Sequence, residues 1–109
     1  MTRLDEIMGS VRSIGVVGLG QMGAGIVQVA LQSGHGVVAQ DANELALRRG
    51  KERIEGGLKK MADKGKIDAD ALPGMLERLK LTSNLADMAD CDLAVEAVVE
   101  IESVKVALF

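Results

Sequence analysis

The sequence contains few of the residues that form covalent cross-links or stack on nucleic acid bases. Its 109 residues include one cysteine, one histidine, one proline and one phenylalanine, and neither tryptophan nor tyrosine. A single cysteine excludes an internal disulfide and a cysteine-cluster metal site, and it is typical of a protein from a reducing cytoplasm. Because aromatic side chains for stacking are nearly absent, we expect no nucleic acid partner.

Long hydrophobic runs are missing as well. No apolar segment approaches the ~20 residues of a membrane-spanning helix. The first residues contain Asp5 and Glu6 in place of the apolar centre of a secretory signal. With 48% hydrophobic and 27% charged residues, the composition is that of a folded domain. We therefore expect one domain over residues 13–109, preceded by an extension of residues 1–12, in a cytoplasmic protein with no membrane partner.

Glycine, in contrast, is abundant, with thirteen residues. Residues 13–17 form a short apolar run of the kind found in buried parallel strands, and the apolar residues within 26–31 have helical spacing. Gly34 is well placed to end that helix in a left-handed conformation, and residues 37–41 predict a second strand. A strand, a helix and a strand in this order predict a right-handed crossover between parallel strands.

The rest of the chain predicts two helices, two strands and a last helix. A long helix is expected over residues 43–65, and it would bury Leu47, Ile54, Leu58 and Met61 along one face. A short helix follows over residues 71–79, with Asp70 as its N-cap because Pro73 then falls in the first turn. The further predicted elements are strands at residues 79–82 and 93–99 and a helix that begins at residue 100.

The predicted long helix carries most of the positive charge. Residues 48–66 contain eight basic and three acidic residues, although the whole chain has a formal net charge of −3. A basic helix on an acidic protein could attract an anionic ligand. A solvated helix face rich in good helix formers is the alternative interpretation.

A glycine motif connects the first predicted strand to the first predicted helix. Gly18, Gly20 and Gly23 have the G-x-G-x-x-G spacing of dinucleotide-binding loops. The first glycine permits the tight turn, the second lets backbone N–H groups approach a pyrophosphate, and the third lets the helix pack closely on the strands. The pyrophosphate would then lie at the positive end of the helix dipole. A glycine-rich turn that only shortens the connection is the alternative.

Asp41 follows the glycine motif at the distance expected of a ribose-binding acid. It lies 23 residues after Gly18, at the end of the second predicted strand. A carboxylate there would accept hydrogen bonds from the adenosine ribose and repel a 2′-phosphate, and no basic residue follows it immediately. The pattern therefore favours NAD over NADP, although the same residue could instead cap the next helix.

Two segments of the sequence resemble the 3-hydroxyacyl-CoA dehydrogenases, which include the bacterial 3-hydroxybutyryl-CoA dehydrogenases. The first is IGVVGLGQMGAGIVQVA at residues 14–30, with Gly34-His35 and Asp41-Ala42-Asn43 after it. The second is DLAVEAVVE at residues 92–100, followed by Val104-Lys105 and ALF at residues 107–109. The basic helical insert lies between them, as it does in that family. The resemblance implies an α/β fold, namely the first half of a Rossmann-type doubly wound parallel sheet with a helical insert between strands 2 and 3.

The resemblance also implies roles for individual residues. The NAD pyrophosphate would be held by the residues of the glycine loop, which are Gly18, Leu19, Gly20, Gln21, Met22 and Gly23. Asp41 would bind the adenosine ribose. Ala97, Glu100 and Lys105 would lie near the nicotinamide, and Lys64 would contact coenzyme A. Two departures concern coenzyme A contact, since Gly57 and Ile101 stand where relatives have a serine and an asparagine.

The implied reaction is reversible hydride transfer between C3 of a 3-hydroxyacyl-CoA and NAD, in an enzyme that forms a homodimer. In the family, the histidine that acts as general base and its glutamate partner lie further along the chain. We therefore expect residues 1–109 to be inactive alone, with His35 as a turn residue and no catalytic residue among them. Two alternatives stay open, namely a non-catalytic nucleotide-binding module and a 3-hydroxyisobutyrate-type dehydrogenase, which shares the glycine loop.

Three acidic or basic residues near the second family segment have simpler interpretations. Glu96 interrupts an apolar strand, where it is either a buried carboxylate with a raised pKa or a residue that finds a partner near the strand end. Glu100 could merely begin a helix, and Lys105 could be a surface position. We expect Cys91, between two aspartates, to be an unreactive residue before a strand.

Overall fold

The computed structural model describes residues 12–98 and 103–108 as one mixed sheet with helices. The strands are β1 (Ser13–Val17), β2 (Gly36–Gln40), β3 (Leu79–Thr82), β4 (Leu93–Val98) and β5 (Ser103–Leu108). The α-helices are α1 (Gln21–Gln32), α2 (Glu44–Asp63) and α3 (Leu72–Glu77), and 3₁₀ turns cover Ala69–Ala71 and Leu85–Asp90. None of the described helices is long and apolar enough to cross a membrane.

The sheet has the strand order β3-β2-β1-β4-β5. Strands β1 to β4 are parallel, with Ile14 of β1 opposite Val37 of β2 and Leu93 of β4. This is the order and direction of the first half of a Rossmann-type sheet, so the predicted fold class is confirmed. Strands β2 and β3 are added on one side of β1 and β4 on the other, so the strand order reverses beside β1. In open parallel sheets ligands bind at such a point, outside the carboxyl ends of the strands.

The first strand–helix–strand unit agrees closely with its prediction. Helix α1 ends where Gly34 adopts a φ of +93°, with the Gly34 N–H donating to the Leu31 carbonyl oxygen at 3.2 Å. This left-handed residue lets the chain turn directly into β2. Buried Val27, Ala30 and Leu31 lie on the side of α1 that faces the core.

The helical insert between β2 and β3 is present, with one difference at its second helix. The Asn43 side chain caps α2 by accepting from the N–H groups of Leu45 and Ala46 at 2.8 and 3.1 Å. Asp70 is not the N-cap of the short helix, contrary to expectation. The Asp68 carboxylate caps the turn instead, accepting from the Asp70 N–H at 2.9 Å, because the chain is extended at Asp68 and already turns at residue 69.

The predicted helix from residue 100 onward is wrong for residues 103–108. These residues form β5, which pairs antiparallel with β4 so that Ser103 lies opposite Val98 and Leu108 opposite Leu93. The physical reason is tertiary pairing: the second edge of β4 would otherwise present unpaired N–H and C=O groups, and a segment with two valines in alternation suits a strand. Residues 99–102, including Glu100 and Ile101, lie outside the described residues.

The core lies between the sheet and the two long helices. Its largest fully buried side chains are Leu19, Leu31, Ile54, Leu58, Val16, Val27 and Val37. They come from β1, the loop after it, α1, β2 and α2, so α2 packs on the same core as α1. The predicted burial of Ile54 and Leu58 is therefore confirmed, while Leu47 is half-buried against the same cluster.

Candidate functional site

The turn after β1 requires glycine at its first position. Gly18 has a φ of +91°, a conformation that residues with a side chain rarely adopt. Its N–H donates to the Gln40 carbonyl oxygen at 2.8 Å, which joins the ends of β1 and β2. A Cβ at this position would lie 3.0 Å from the Ala97 carbonyl oxygen. The turn thus brings Ala97, at the carboxyl end of β4, into contact with the glycine loop.

The glycine loop, residues 18–23, leads straight into the start of α1. Gly20 is the N-cap residue and offers no side chain to the helix, and the first bond along the helix runs from the Ala24 N–H to the Gly20 carbonyl oxygen at 2.9 Å. The preceding N–H groups of the first turn have no partner within the helix. No acidic side chain lies in that turn, so nothing in it competes with an anion for the positive end of the dipole.

Gly23 provides the close approach between α1 and the turn. A Cβ there would clash with the Gly18 carbonyl oxygen. The neighbouring Gly25 has open space around it on the same helix. The third glycine of the motif is therefore fixed by packing against the first, as its spacing predicted, whereas Gly25 is under no such constraint.

Asp41 follows β2 and contacts the glycine loop directly. One carboxylate oxygen accepts the Leu19 N–H at 3.0 Å and the other accepts the Asn43 N–H at 2.9 Å. The Asp41 N–H itself donates to the Thr82 carbonyl oxygen at 3.2 Å, which ties it to the end of β3. The half-buried carboxylate thus lies at the carboxyl edge of the sheet, beside the loop. It supports the turn ahead of α2, although Asn43 supplies the helix cap itself.

Leu19 and Gly50 form a contact that sequence reasoning did not single out. The Leu19 side chain is fully buried and lies against α2 at Gly50, where a Cβ would be only 2.9 Å from the Leu19 carbonyl oxygen. The signal for this contact was a glycine inside a helical pattern, but its partner is 31 positions away in the chain.

Part of the basic face of α2 lies beside the glycine loop. Arg49 and Arg53 line a cleft of about 190 Å³ together with Leu19 and Gly20. Within the described residues, the ion pair formed by α2 is a 4.0 Å contact between Lys51 and Glu55. Positive charge is therefore present next to the start of α1, where an anion is favoured on helix-dipole grounds.

Lys64 lies away from the glycine loop, at the other end of α2. It is the exposed C-cap residue of that helix. Gly57, one of the two departures from the family pattern, is packed against the side chain of Gln28 on α1. The Gln28 amide in turn donates to the Arg53 carbonyl oxygen at 3.3 Å, so this part of α2 is attached to α1.

The remaining predicted residues are Glu96 and Lys105, which lie in β4 and β5, and His35, which lies at the amino edge of the sheet. Glu96 is exposed, so it is not a buried carboxylate. Lys105 lies in β5 with its backbone opposite Glu96, not on a helix. His35 precedes β2 and its N–H donates to the Ala30 carbonyl oxygen at 3.1 Å. His35 is therefore a turn residue at the amino edge of the sheet, opposite to the glycine loop, as predicted.

Cys91 and Asp92 precede β4 and have structural surroundings. Burial raises the pKa of the Cys91 thiol, a hydrogen bond with Ser13 acts in the opposite direction, and the carboxylates of Asp92 and Asp90 raise it further. These surroundings do not favour the reactive thiolate. The N–H groups of Arg12 and Ser13 donate to the Asp92 carboxylate at 2.9 and 3.3 Å and lower its pKa. Asp92 thus fastens the start of β1 to the start of β4.

Comparisons with known proteins agree with this arrangement. A family model described as 3-hydroxyacyl-CoA dehydrogenase, NAD binding domain, matches residues 13–109. A protein of Deinococcus radiodurans named "Probable 3-hydroxybutyryl-CoA dehydrogenase" is 52% identical over 95 residues, which are 87% of this chain and 34% of that protein. NAD is accordingly the cofactor of the matched domain.

Solved structures give the same result. The crystal structure of Mycobacterium tuberculosis FadB2 superposes with a TM-score of 0.78 at 36% identity, covering 83% of this chain and 32% of that one. The (S)-3-hydroxybutyryl-CoA dehydrogenase PaaH1 of Ralstonia eutropha gives 0.78 at 31% identity, covering 84% and 32%. The chain thus spans about a third of the length of the relatives that it matches.

Proposed function

We propose that this chain, which belongs to the 3-hydroxyacyl-CoA dehydrogenase family, forms the NAD-binding part of an enzyme that oxidises a 3-hydroxyacyl-CoA to a 3-oxoacyl-CoA. NAD would supply the hydride acceptor for this reaction when bound. The match to the NAD-binding domain and the names of the relatives favour this function over a 3-hydroxyisobutyrate-type dehydrogenase or a non-catalytic nucleotide-binding module. Residues 13–109 would make up the NAD-binding domain, and residues 1–12 would precede it.

The glycine loop is the observation that carries the proposal. Its residues fit a pyrophosphate, because Gly20 places no side chain at the start of α1, no acidic side chain lies in the first turn, and that turn has N–H groups without helical partners. The pyrophosphate would lie along the loop, held by Gly18, Leu19, Gly20, Gln21, Met22 and Gly23. Arg49 and Arg53 would add positive charge from the side of α2.

The two halves of the dinucleotide would extend from the loop along the carboxyl edge of the sheet. Asp41 would accept hydrogen bonds from the adenosine ribose with the lone pairs that its two backbone donors leave free. Ala97 touches the loop from the other side, so the nicotinamide would lie near it. Glu100 and Lys105 follow along the chain and are proposed to contribute on that side.

Calorimetric titration with NAD and NADP tests this assignment. We expect NAD to bind and NADP to bind more weakly, because the Asp41 carboxylate would repel a 2′-phosphate. Absence of NAD binding by the complete encoded chain would remove the proposed function. Tighter binding of NADP than of NAD would leave the dinucleotide site but remove the role of Asp41.

Lys64 is proposed to contact the coenzyme A portion of the substrate. It is exposed at the end of the basic helix α2, where a flexible ammonium group could reach a phosphate. In the complete enzyme, Lys64→Ala should raise the KM for acetoacetyl-CoA about tenfold and leave the KM for NADH unchanged, as loss of a charge-assisted hydrogen bond suggests. Arg48→Ala, which removes an exposed charge at the opposite end of α2, is the matched control. Equal effects of the two variants would contradict a specific contact.

The catalytic base is proposed to lie outside residues 1–109. Their one histidine, His35, is at the amino edge of the sheet, opposite to the loop. The 109-residue polypeptide should therefore not reduce acetoacetyl-CoA with NADH, and measurable turnover would overturn this point. From the family resemblance we also propose that the complete enzyme is a cytoplasmic homodimer. Analytical ultracentrifugation of the complete chain tests whether it is a dimer.

A further inference from the structure

A glycine in the second turn of α2 has a packing role that its helix alone does not explain. Glycine is among the poorest helix formers, yet α2 contains Gly50, Gly56 and Gly57. Gly56 faces open space, so a methyl group there would meet nothing. Gly50 is buried, and a Cβ there would lie 2.5 Å from Cδ2 of Leu19 and 2.9 Å from the Leu19 carbonyl oxygen. The absence of a side chain at Gly50 thus creates the notch that Leu19 occupies.

Leu19 is the residue between the first two glycines of the loop, and it is held at more than one point. Its side chain is fully buried against Gly50. Its N–H donates to the Asp41 carboxylate at 3.0 Å. Glycines on both sides give the backbone wide conformational freedom, so the loop depends on its contacts with the rest of the protein. The hydrogen bond from Gly18 to Gln40 holds its first residue, and the contacts of Leu19 hold the next one.

We propose that Gly50 is a positioning residue for the dinucleotide site, acting through Leu19 on the glycine loop. This inference rests on the proposed function, because it concerns how the loop is held for NAD. A methyl group at position 50 leaves too little room for Leu19, so the two segments must separate. The proposal requires that Leu19 gives way, with its carbonyl and N–H moving together with its side chain. The N–H groups that follow at the start of α1 would then no longer point at the same place.

The matched pair Gly50→Ala and Gly56→Ala tests the proposal, since both put the same residue into the same helix. In the complete encoded chain, Gly56→Ala should bind NAD within about twofold of the wild type. Gly50→Ala should raise the Kd at least about tenfold, because hydrogen bonds from displaced N–H groups weaken steeply as their angles depart from linear and one charge-assisted bond is equivalent to about that factor. Calorimetry gives the Kd, and circular dichroism establishes that each variant is folded. A merely structural role would lower the melting temperature of Gly50→Ala and leave the Kd of the folded protein unchanged.

A second variant keeps the test decisive if Gly50→Ala folds poorly. Leu19→Ala removes the side-chain atoms that the new methyl group would meet and leaves only its approach to the carbonyl oxygen of residue 19. Adding Gly50→Ala to it should therefore change the Kd less than Gly50→Ala changes that of the wild type. A double variant that is folded and binds NAD within about fivefold of Leu19→Ala alone supports the proposal. A folded double variant that binds NAD more weakly than that, or a folded Gly50→Ala that binds like Gly56→Ala, overturns it. Failure of the wild type to bind NAD would instead refute the proposed function.

Discussion

Replacing Asp41 with asparagine separates the charge of this residue from its hydrogen bonds. The carboxylate now accepts the Leu19 N–H at 3.0 Å with one oxygen and the Asn43 N–H at 2.9 Å with the other. An amide has one accepting oxygen, so one of the two donors must lose its partner. We expect the amide oxygen to stay with Leu19, whose bond is partly buried, because the bond to Asn43 is exposed and water can replace it.

The magnitudes follow from this geometry. The free energy of unfolding should fall by about 1.5 kcal/mol, the lower end of the range for a lost hydrogen bond to a charged group, because the N–H that loses its partner is solvated. NAD should bind about tenfold more weakly, since a neutral acceptor replaces a charged one at the ribose. NADP should lose a repulsion of about 1 kcal/mol per phosphate charge at 4 Å in water, which is about tenfold to thirtyfold for two charges.

The assay is calorimetric titration of wild type and Asp41→Asn with NAD and NADP at low and moderate salt. The ratio of the NADP Kd to the NAD Kd should fall in the variant, and the fall should shrink as salt screens the repulsion. Asp68→Asn is the control, since Asp68 also accepts a backbone N–H in a turn but lies in the helical insert. An unchanged ratio in Asp41→Asn would refute the role of this carboxylate in choosing between the nucleotides.

Two further substitutions test the packing and the pH dependence of the fold. Gly23→Ala should lower the free energy of unfolding by about 1–3 kcal/mol through its clash with Gly18, and it should abolish tight NAD binding. The control Gly25→Ala should leave the free energy of unfolding unchanged or raise it by up to about 1 kcal/mol. Equal melting temperatures of the two variants would contradict this. The Asp92 carboxylate has a lowered pKa, so its contribution is present above the unfolded-state pKa of about 3.9 and is lost as the pH falls through the folded-state value. Asp92→Asn should therefore be less stable than the wild type in urea unfolding at pH 7 but not at pH 2, and a difference that persists on acidification would argue against the assignment.

The parts of the fold that sequence could predict are those whose requirements are local. Gly18 and Gly34 stand where the backbone must take a positive φ, and few residues other than glycine do so readily. The apolar run of β1 and the helical spacing in α1 are also local patterns, and they predict the strand and the helix that these glycines connect. Asp41 could be predicted as a site residue because its distance along the chain from the loop is set by one strand–helix–strand unit.

The parts that sequence could not predict depend on partners distant in the chain. Residues 103–108 have a pattern compatible with a helix, but pairing with β4 decides their conformation. The notch at Gly50 exists because α2 crosses the glycine loop there, and nothing within α2 indicates which of its glycines does so. The predicted N-cap at Asp70 differs by two residues from the observed one, because Asp68 and Asp70 could each cap the same turn.

The contacts of the glycine loop imply that its shape is set before the cofactor arrives. Gly18 is bonded to the end of β2, and Leu19 is bonded to Asp41 and packed at Gly50. Fixing the backbone of one residue costs about 1–2 kcal/mol, and here that cost falls on folding and not on binding. Since Asp41 both orders the loop and lies where the ribose is proposed to bind, changing the nucleotide preference requires a residue that still accepts the Leu19 N–H. Asparagine meets that condition and alanine does not, so Asp41→Ala should bind NAD and NADP more weakly than Asp41→Asn does, although both variants remove the same charge.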